Sequence, residues 1–368
     1  MQKTGARIAI FAGATALAAT TLMAGSAAPQ PRPDPQAPKI VNAAFEQRAV
    51  TGAFETFFQA LVRQQSKPAW MGYSVPAVPG HQVGCCGGGE SYGAISPCYL
   101  EGRPSTTTGA DDRAVKLEGD AALLVLFRVE KQQVGKIAIF SPDCRLDAGG
   151  LPFFWLTGVA PADSVRLLGA FARTTGGPER VARNAVVALA LHGDSSADLA
   201  LEQLIAAERP LEIRKQAAFW LGVARGERGY QILRGAAEHD PSADFRKEAT
   251  FALSRSTSPA AIDTLIQMAK ADSDASVRGQ ALFWLAQKAG KKAAGAITSA
   301  IENDPEAQVK ERAVFALSQL PKDEGVPLLI NVARSNRDPK VRQRAMFWLG
   351  QSKDPRAVAF FEEVLKGK

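Results

Sequence analysis

VRQRAMFWLG, residues 341–350, returns in altered form as VRGQALFWLA at 277–286, IRKQAAFWLG at 213–222 and VKERAVFALS at 309–318. The first place of this phrase falls at Val181, Ile213, Phe245, Val277, Val309 and Val341, an interval of 32 residues each time. Four places on stands Ala in all six copies (Ala185, Ala217, Ala249, Ala281, Ala313, Ala345), and eight places on stands Leu, from Leu189 to Leu349. Offsets of four and eight lie on one face of a helix. A second apolar mark precedes each phrase after the first, at Leu201, Leu233, Leu265, Ile297 and Leu329, again 32 apart. Each unit therefore reads as two helices. Asp240-Pro241, Asp304-Pro305 and Asp338-Pro339 mark turns, where Pro stops one helix or starts the next and Asp caps the one that follows. A period of this length predicts a solenoid.

The pattern VRxxAxxxLG, carried by Val341, Arg342, Ala345, Leu349 and Gly350, resembles the HEAT repeat, and the short unit is similar to the subgroup found in phycobilin lyases and many bacterial repeat proteins. The resemblance spans 163–368. It implies an all-α right-handed solenoid, a HEAT-like α-α superhelix, whose second helices line the concave side. It also implies a structural role for the Arg in the second place, paired with an Asp of the preceding turn, as Arg342 with Asp338 and Arg278 with Asp274.

At about 100° per residue, the eighth place of the phrase falls at the edge of the core face. It alternates between Trp (Trp220, Trp284, Trp348) and Ala (Ala188, Ala252, Ala316), a two-repeat super-period. Packing accounts for it, a large residue in one layer meeting a small one in the next. The seventh place projects roughly opposite the core, yet it holds Phe219, Phe251, Phe283, Phe315 and Phe347. With helices ~8–10 Å apart, five such rings make a ladder of roughly 40 Å. Lys215, Lys247, Arg312 and Arg344 flank it, with Gln216 and Gln280. Two dispositions are open. The rings lie flat across small residues next door, such as Gly222, Ser254 or Gly350, and close the groove; or the row stays open and takes an extended peptide or a partner's helix, rimmed by Lys and Arg.

Upstream, residues 40–160 predict a small α+β domain. GAFETFFQALVRQQ (52–65) reads as a helix, Trp70–Val75 as a strand, and AALLVLFRVE (121–130) with VGKIAIFS (134–141) as a β-hairpin. A further helix is expected near 162–173. Cys85, Cys86, Cys98 and Cys144 all fall in this half. Their even number favours two disulfides in an exported chain. Adjacent Cys85 and Cys86 each reach Cys98 or Cys144. A metal site using His81 is the rival, but the spacing matches no zinc pattern.

Lys3 and Arg7, the apolar run 8–23 and the small residues of AGSAAPQ read as a signal peptide cleaved near Ala27. A Pro-rich tether, 28–39, follows. Without Lys3 and Arg7 the formal charge falls from +7 to +5; this mild excess and export argue against nucleic acid. No later stretch is long and apolar enough to span a bilayer. Gly89-Glu90-Ser91-Tyr92-Gly93 matches a serine-hydrolase pattern but follows Gly and Cys rather than a strand, and Asp143 with Asp147 falls short of a Ca²⁺ cage. The expectation is an exported, non-enzymatic scaffold, periplasmic or extracellular, with no cofactor or metal, that binds a protein or peptide on its concave face. The alternatives are a lyase-like enzyme or accessory gripping a prosthetic group, and a structural spacer of the envelope.

Overall fold

The computed structural model describes residues 38–81, 83, 85, 98–102, 122–174 and 177–367. The expected signal peptide, most of the tether, Cys86 and the 89–93 motif lie outside these residues.

In the head, β2 (Ala44–Ala49), β8 (Pro152–Thr157), β3 (Ala69–Pro76), β5 (Ala122–Glu130) and β6 (Gln133–Phe140) form a five-stranded sheet in that order. β3–β5 and β5–β6 pair antiparallel, so the hairpin is as expected, and β2–β8 and β3–β8 pair parallel. A second sheet sets β7 (Arg145–Asp147) between β1 (Lys39–Val41) and β4 (Cys98–Tyr99). The apolar runs of β3 and β5 are almost unbroken because both faces of the sheet are covered. Side chains alternate across it. Val125, Phe127, Met71, Tyr73 and Phe154 face the main core with α1 (Phe54–Arg63) and α2 (Pro161–Arg173). Leu124, Leu126, Trp70, Phe153 and Trp155 face a smaller core with Cys98, Cys144 and Leu146. Gly72 fits this packing, since a Cβ there would lie 2.3 Å from Leu126 Cδ2. Cys85 is disulfide-bonded to Cys144, and Cys98 is disulfide-bonded as well.

All six phrases are helical: α3 (Glu179–Leu191), α5 (Leu211–Ala224), α7 (Ala243–Arg255), α9 (Ala275–Ala289), α11 (Ala307–Ser318) and α13 (Pro339–Ser352). Between and after them lie α4 (Ser196–Ile205), α6 (Gly226–His239), α8 (Ala260–Ala271), α10 (Lys291–Asn303), α12 (Lys322–Ser335) and α14 (Pro355–Leu365). Their stacking makes an α-solenoid behind the strand-containing head. The first, fifth and ninth places are buried in every copy, and so is the sixth place in most, at Ala218, Thr250, Leu282 and Val314. Phrase helices pack closely on one another, whereas the intervening helices touch far less, as the inner and outer layers of a curved stack must. At Gly222 a Cβ would come within 2.2 Å of Ala252 O, so the backbones of α5 and α7 nearly touch.

The main core runs without a break from the head to Phe360. Head and array are also tied by hydrogen bonds. Val78 N donates to Leu191 O (2.9 Å), Gly193 N to Pro76 O (2.7 Å) and Asn184 Nδ2 to Ile137 O (2.6 Å), while His81 Nε2 meets Val223 O at 3.0 Å.

One expectation is corrected. The second-place Arg pairs with the Asp of the following turn, 26 residues on, rather than the preceding one. Arg278 holds Asp304 through two bonds of 2.7 and 2.9 Å, Arg246 holds Asp272 through two of 2.8 Å, and Arg214 holds Asp240. Asp274 is instead the N-cap of α9, accepting from Ser276 N and Val277 N. Each Arg reaches backwards too, Arg246 to Asp240 O and Arg278 to Asp272 O. Asp240, Asp272 and Asp304 each also accept the backbone N two residues on. The result is a buried ladder that ties turn to turn. In the next layer both partners differ together, Lys310 standing for Arg and Asn336 for Asp. Asn336 keeps the backbone bond, from Asp338 N, while Lys310 Nζ turns to Glu302 O.

Candidate functional site

The seventh place of each phrase sits on the inner helices α5, α7, α9, α11 and α13, on the side away from the core. Phe219, Phe251, Phe283 and Phe315 are half-buried, and Phe347 is 50% exposed. The rings are neither sealed in the interior nor laid across small residues; they pack on one another and on the Trp residues.

The Trp–Ala alternation explains how. Where the eighth place is Ala252 or Ala316, consecutive Phe rings stack directly: Phe219 on Phe251 at 5.7 Å and 24°, Phe283 on Phe315 at 5.9 Å and 7°. Where it is Trp284 or Trp348, the indole inserts between layers. Trp284 lies 4.7 Å from Phe251 and 4.8 Å from Phe283; Trp348 lies 4.9 Å from Phe315 and 5.0 Å from Phe347. Trp220 meets Phe219 at 5.4 Å. The outcome is one continuous row of eight rings. The indoles were read from sequence as core packing alone. Their period was visible, but their reach into the preceding layer was not. Such aromatic pairs add about 0.5–1.5 kcal/mol each beyond the area they bury. Trp284 Nε1 is buried without a hydrogen-bond partner in the row.

The flanking cations divide into two groups. Lys215 Nζ is bound to Glu212 (3.2 Å) and Arg344 to Glu311 (3.0 Å). Arg312 packs over Gly279, where a Cβ would meet its Cδ at 2.4 Å, and reaches only a backbone oxygen, Ser276 O, at 3.3 Å. Lys247 Nζ has no hydrogen bond or ion pair among the described residues. Sequence reading passed over Arg255 and Lys288, near the ends of α7 and α9; Lys288 Nζ bonds Ser256 O. A cleft of about 190 Å³ opens beside Trp348, lined among others by Leu317, Gln319, Val326 and Leu329.

Other places in the chain offer less chemistry. Among the described residues no three His, Cys, Asp or Glu side chains gather as a metal site would need. Asp147 accepts from Asn42 Nδ2 (3.0 Å) and Gly149 N (2.8 Å), which makes it a turn-forming residue. No described helix is long and apolar enough to cross a membrane.

The family of HEAT repeats matches residues 198–286 and 294–368. No curated protein matches the sequence. Solved structures to which the chain is similar include human deoxyhypusine hydroxylase in complex with glycerol, 17% identical over 55% of this chain and 89% of that one, TM-score 0.28. The complex of CpcE and CpcF of phycocyanin lyase from Nostoc sp. PCC7120 is 19% identical over 55% of this chain and 80% of that one, TM-score 0.32. The Kap95:Nup1 complex is 15% identical over 57% of this chain and 34% of that one, TM-score 0.37. At these scores the likenesses carry no argument about activity.

Proposed function

With HEAT repeats over 198–286 and 294–368 as the premise, we propose that the chain is an exported, non-enzymatic scaffold whose inner helical face binds a segment of another protein. HEAT solenoids commonly serve as interaction scaffolds, using the extended concave surfaces that stacked repeats create. The observation that carries the reading is the aromatic row, which leaves Phe347 50% exposed and its four companions half-buried on the side away from the core. Contiguous apolar surface of a few hundred Å² commonly marks an interaction site. Export is supported by the bond between Cys85 and Cys144, since such bonds persist in oxidising compartments.

The test is the double variant Phe283→Ser, Phe315→Ser. Partner capture is lost while the circular dichroism spectrum keeps its helical signal. If capture and solubility both match the wild type, the row is not the binding surface.

A further inference from the structure

The two helical layers differ in charge. Helices α5, α7, α9, α11 and α13 carry twelve Lys and Arg against four Asp and Glu, whereas α6, α8, α10, α12 and α14 carry eight of each. Three of the inner arginines, Arg214, Arg246 and Arg278, are spent on the turn ladder, and Lys215 and Arg344 hold nearby glutamates. Seven of the twelve are left without a carboxylate partner among the described residues, and three of these, Lys247, Arg255 and Arg312, flank the middle of the Phe row. On a helical wheel all three project within about 60° of the Phe row. Lys288 sits beside Arg255; burial first, and then the charge of Arg255, holds its ammonium below the usual lysine range. The acids on this side of the inner helices are Glu212 and Glu311, both already paired with a cation, and Asp244 and Glu248.

The rings add a second signal. In the stacked pairs Phe219–Phe251 and Phe283–Phe315 each ring turns one face to the other, and Trp284 and Trp348 lie against Phe251 and Phe315 as well, so ring edges are offered more readily than ring faces. Aromatic edges are electropositive and suit carbonyl and carboxylate oxygens. The same stacking leaves these rings few free faces for nucleobases, and single-stranded nucleic acids are held largely by base stacking on aromatic rings. Nucleic acid is thereby disfavoured on this basic surface.

Building on the scaffold reading above, we infer that the segment bound on the inner face is an acidic, extended peptide, whose apolar residues lie along Phe251, Phe283 and Phe315 and whose carboxylates meet Lys247 and Arg255 at one end and Arg312 at the other. α7 and α11 are two layers apart, which at ~8–10 Å per layer is roughly 18 Å. An extended chain rises ~3.3 Å per residue, so the two acidic positions stand about five or six residues apart with apolar residues between them.

The experiment pans a phage-displayed random dodecapeptide library on the full-length protein, on Lys247→Glu/Arg312→Glu and on Phe283→Ser/Phe315→Ser. Circular dichroism first establishes that all three are folded. Peptides enriched on the wild type are expected to be acidic at that spacing and to bind about tenfold more weakly when their acids are replaced by amides. The charge-reversed variant is expected to enrich basic peptides instead. Neutral or basic peptides on the wild type, dependent on the two Phe, overturn the acidic partner and leave the scaffold reading standing. No enrichment over the double-Ser variant overturns both. Tighter binding of an oligo-dT strand than of any enriched peptide overturns the choice of protein over nucleic acid.

Discussion

Phe58 in the head and Phe283 in the array both touch an aromatic neighbour at the same range: Phe58 lies 4.8 Å from Phe127, and Phe283 lies 4.8 Å from Trp284. Their surroundings differ. Phe58 is 0% exposed, closed in by Phe54, Phe127 and Phe171 from α1, β5 and α2. Phe283 is only half-buried, because the inner layer has a row of rings along it and nothing packed over that row. The head uses its aromatic residues to close a core that sheet and helices cover from every side. The array uses the same residue type to pave a surface. Residue identity and near neighbours do not separate these roles; what covers the far side of the ring does.

Truncation sharpens that contrast most. Phe58→Ala is expected to lower stability by about 3–5 kcal/mol, as large-to-small changes in a sealed core do. Phe283→Ala should lower it by about 1–2 kcal/mol, the sum of partial burial and one or two ring contacts. Chemical denaturation of both variants measures the difference, and equal losses would mean that the row is as enclosed as the head.

The turn ladder comes next. Arg246→Ala leaves Asp272 buried without its partner and should destabilise by about 2–4 kcal/mol. Lys310→Ala, in the layer where the rung is replaced, should stay within about 0.5 kcal/mol. The acid side of the stability profile should report the same ladder. Burial alone would raise the Asp304 carboxyl, but the hydrogen bonds and charge of Arg278 outweigh it and hold the group below its ordinary value. Its contribution is therefore present above the unfolded value of about 3.9 and is lost as pH falls through the lower folded one.

His192, where the array meets the head, gives a smaller effect in a separate pH window. Burial pushes its pKa down to about 4, against a weaker opposing pull from Asp194. The unfolded chain then binds more protons between about 6.5 and 4, so stability falls as pH drops through that window. His192→Gln should flatten the slope there, as read from denaturation midpoints at several pH values. The smallest effect is a gain. Lys310→Arg with Asn336→Asp restores the missing rung and should raise stability by up to about 1 kcal/mol.

The interval of 32 residues made the array legible, down to the six phrase helices and their buried faces. The hairpin of β5 and β6 was legible too, from two apolar runs across a polar turn. β8, PFFWLT, went unread because its run is short and begins with Pro, which a strand tolerates at its first residue. Its partners β2 and β3 are distant in sequence. The direction of the Arg–Asp ladder was misread for a similar reason: Asp274 is nearer in the chain to Arg278, and only the stacking of layers brings Asp304 to it. At the candidate surface, the five Phe and the flanking cations could be placed by helical angle. The insertion of Trp284 and Trp348 could not, since it depends on how far one layer reaches into another.

The most direct measurement is site-specific photo-crosslinking in the intact cell envelope, with a photoreactive residue at position 283 on the inner layer and, separately, at Arg234, exposed on α6 in the outer layer. A discrete protein adduct is expected at 283, suppressed by an excess of an acidic peptide from the panning, and none at 234. Adducts of equal yield at both positions, or none at 283 in a folded and correctly exported protein, would contradict this expectation.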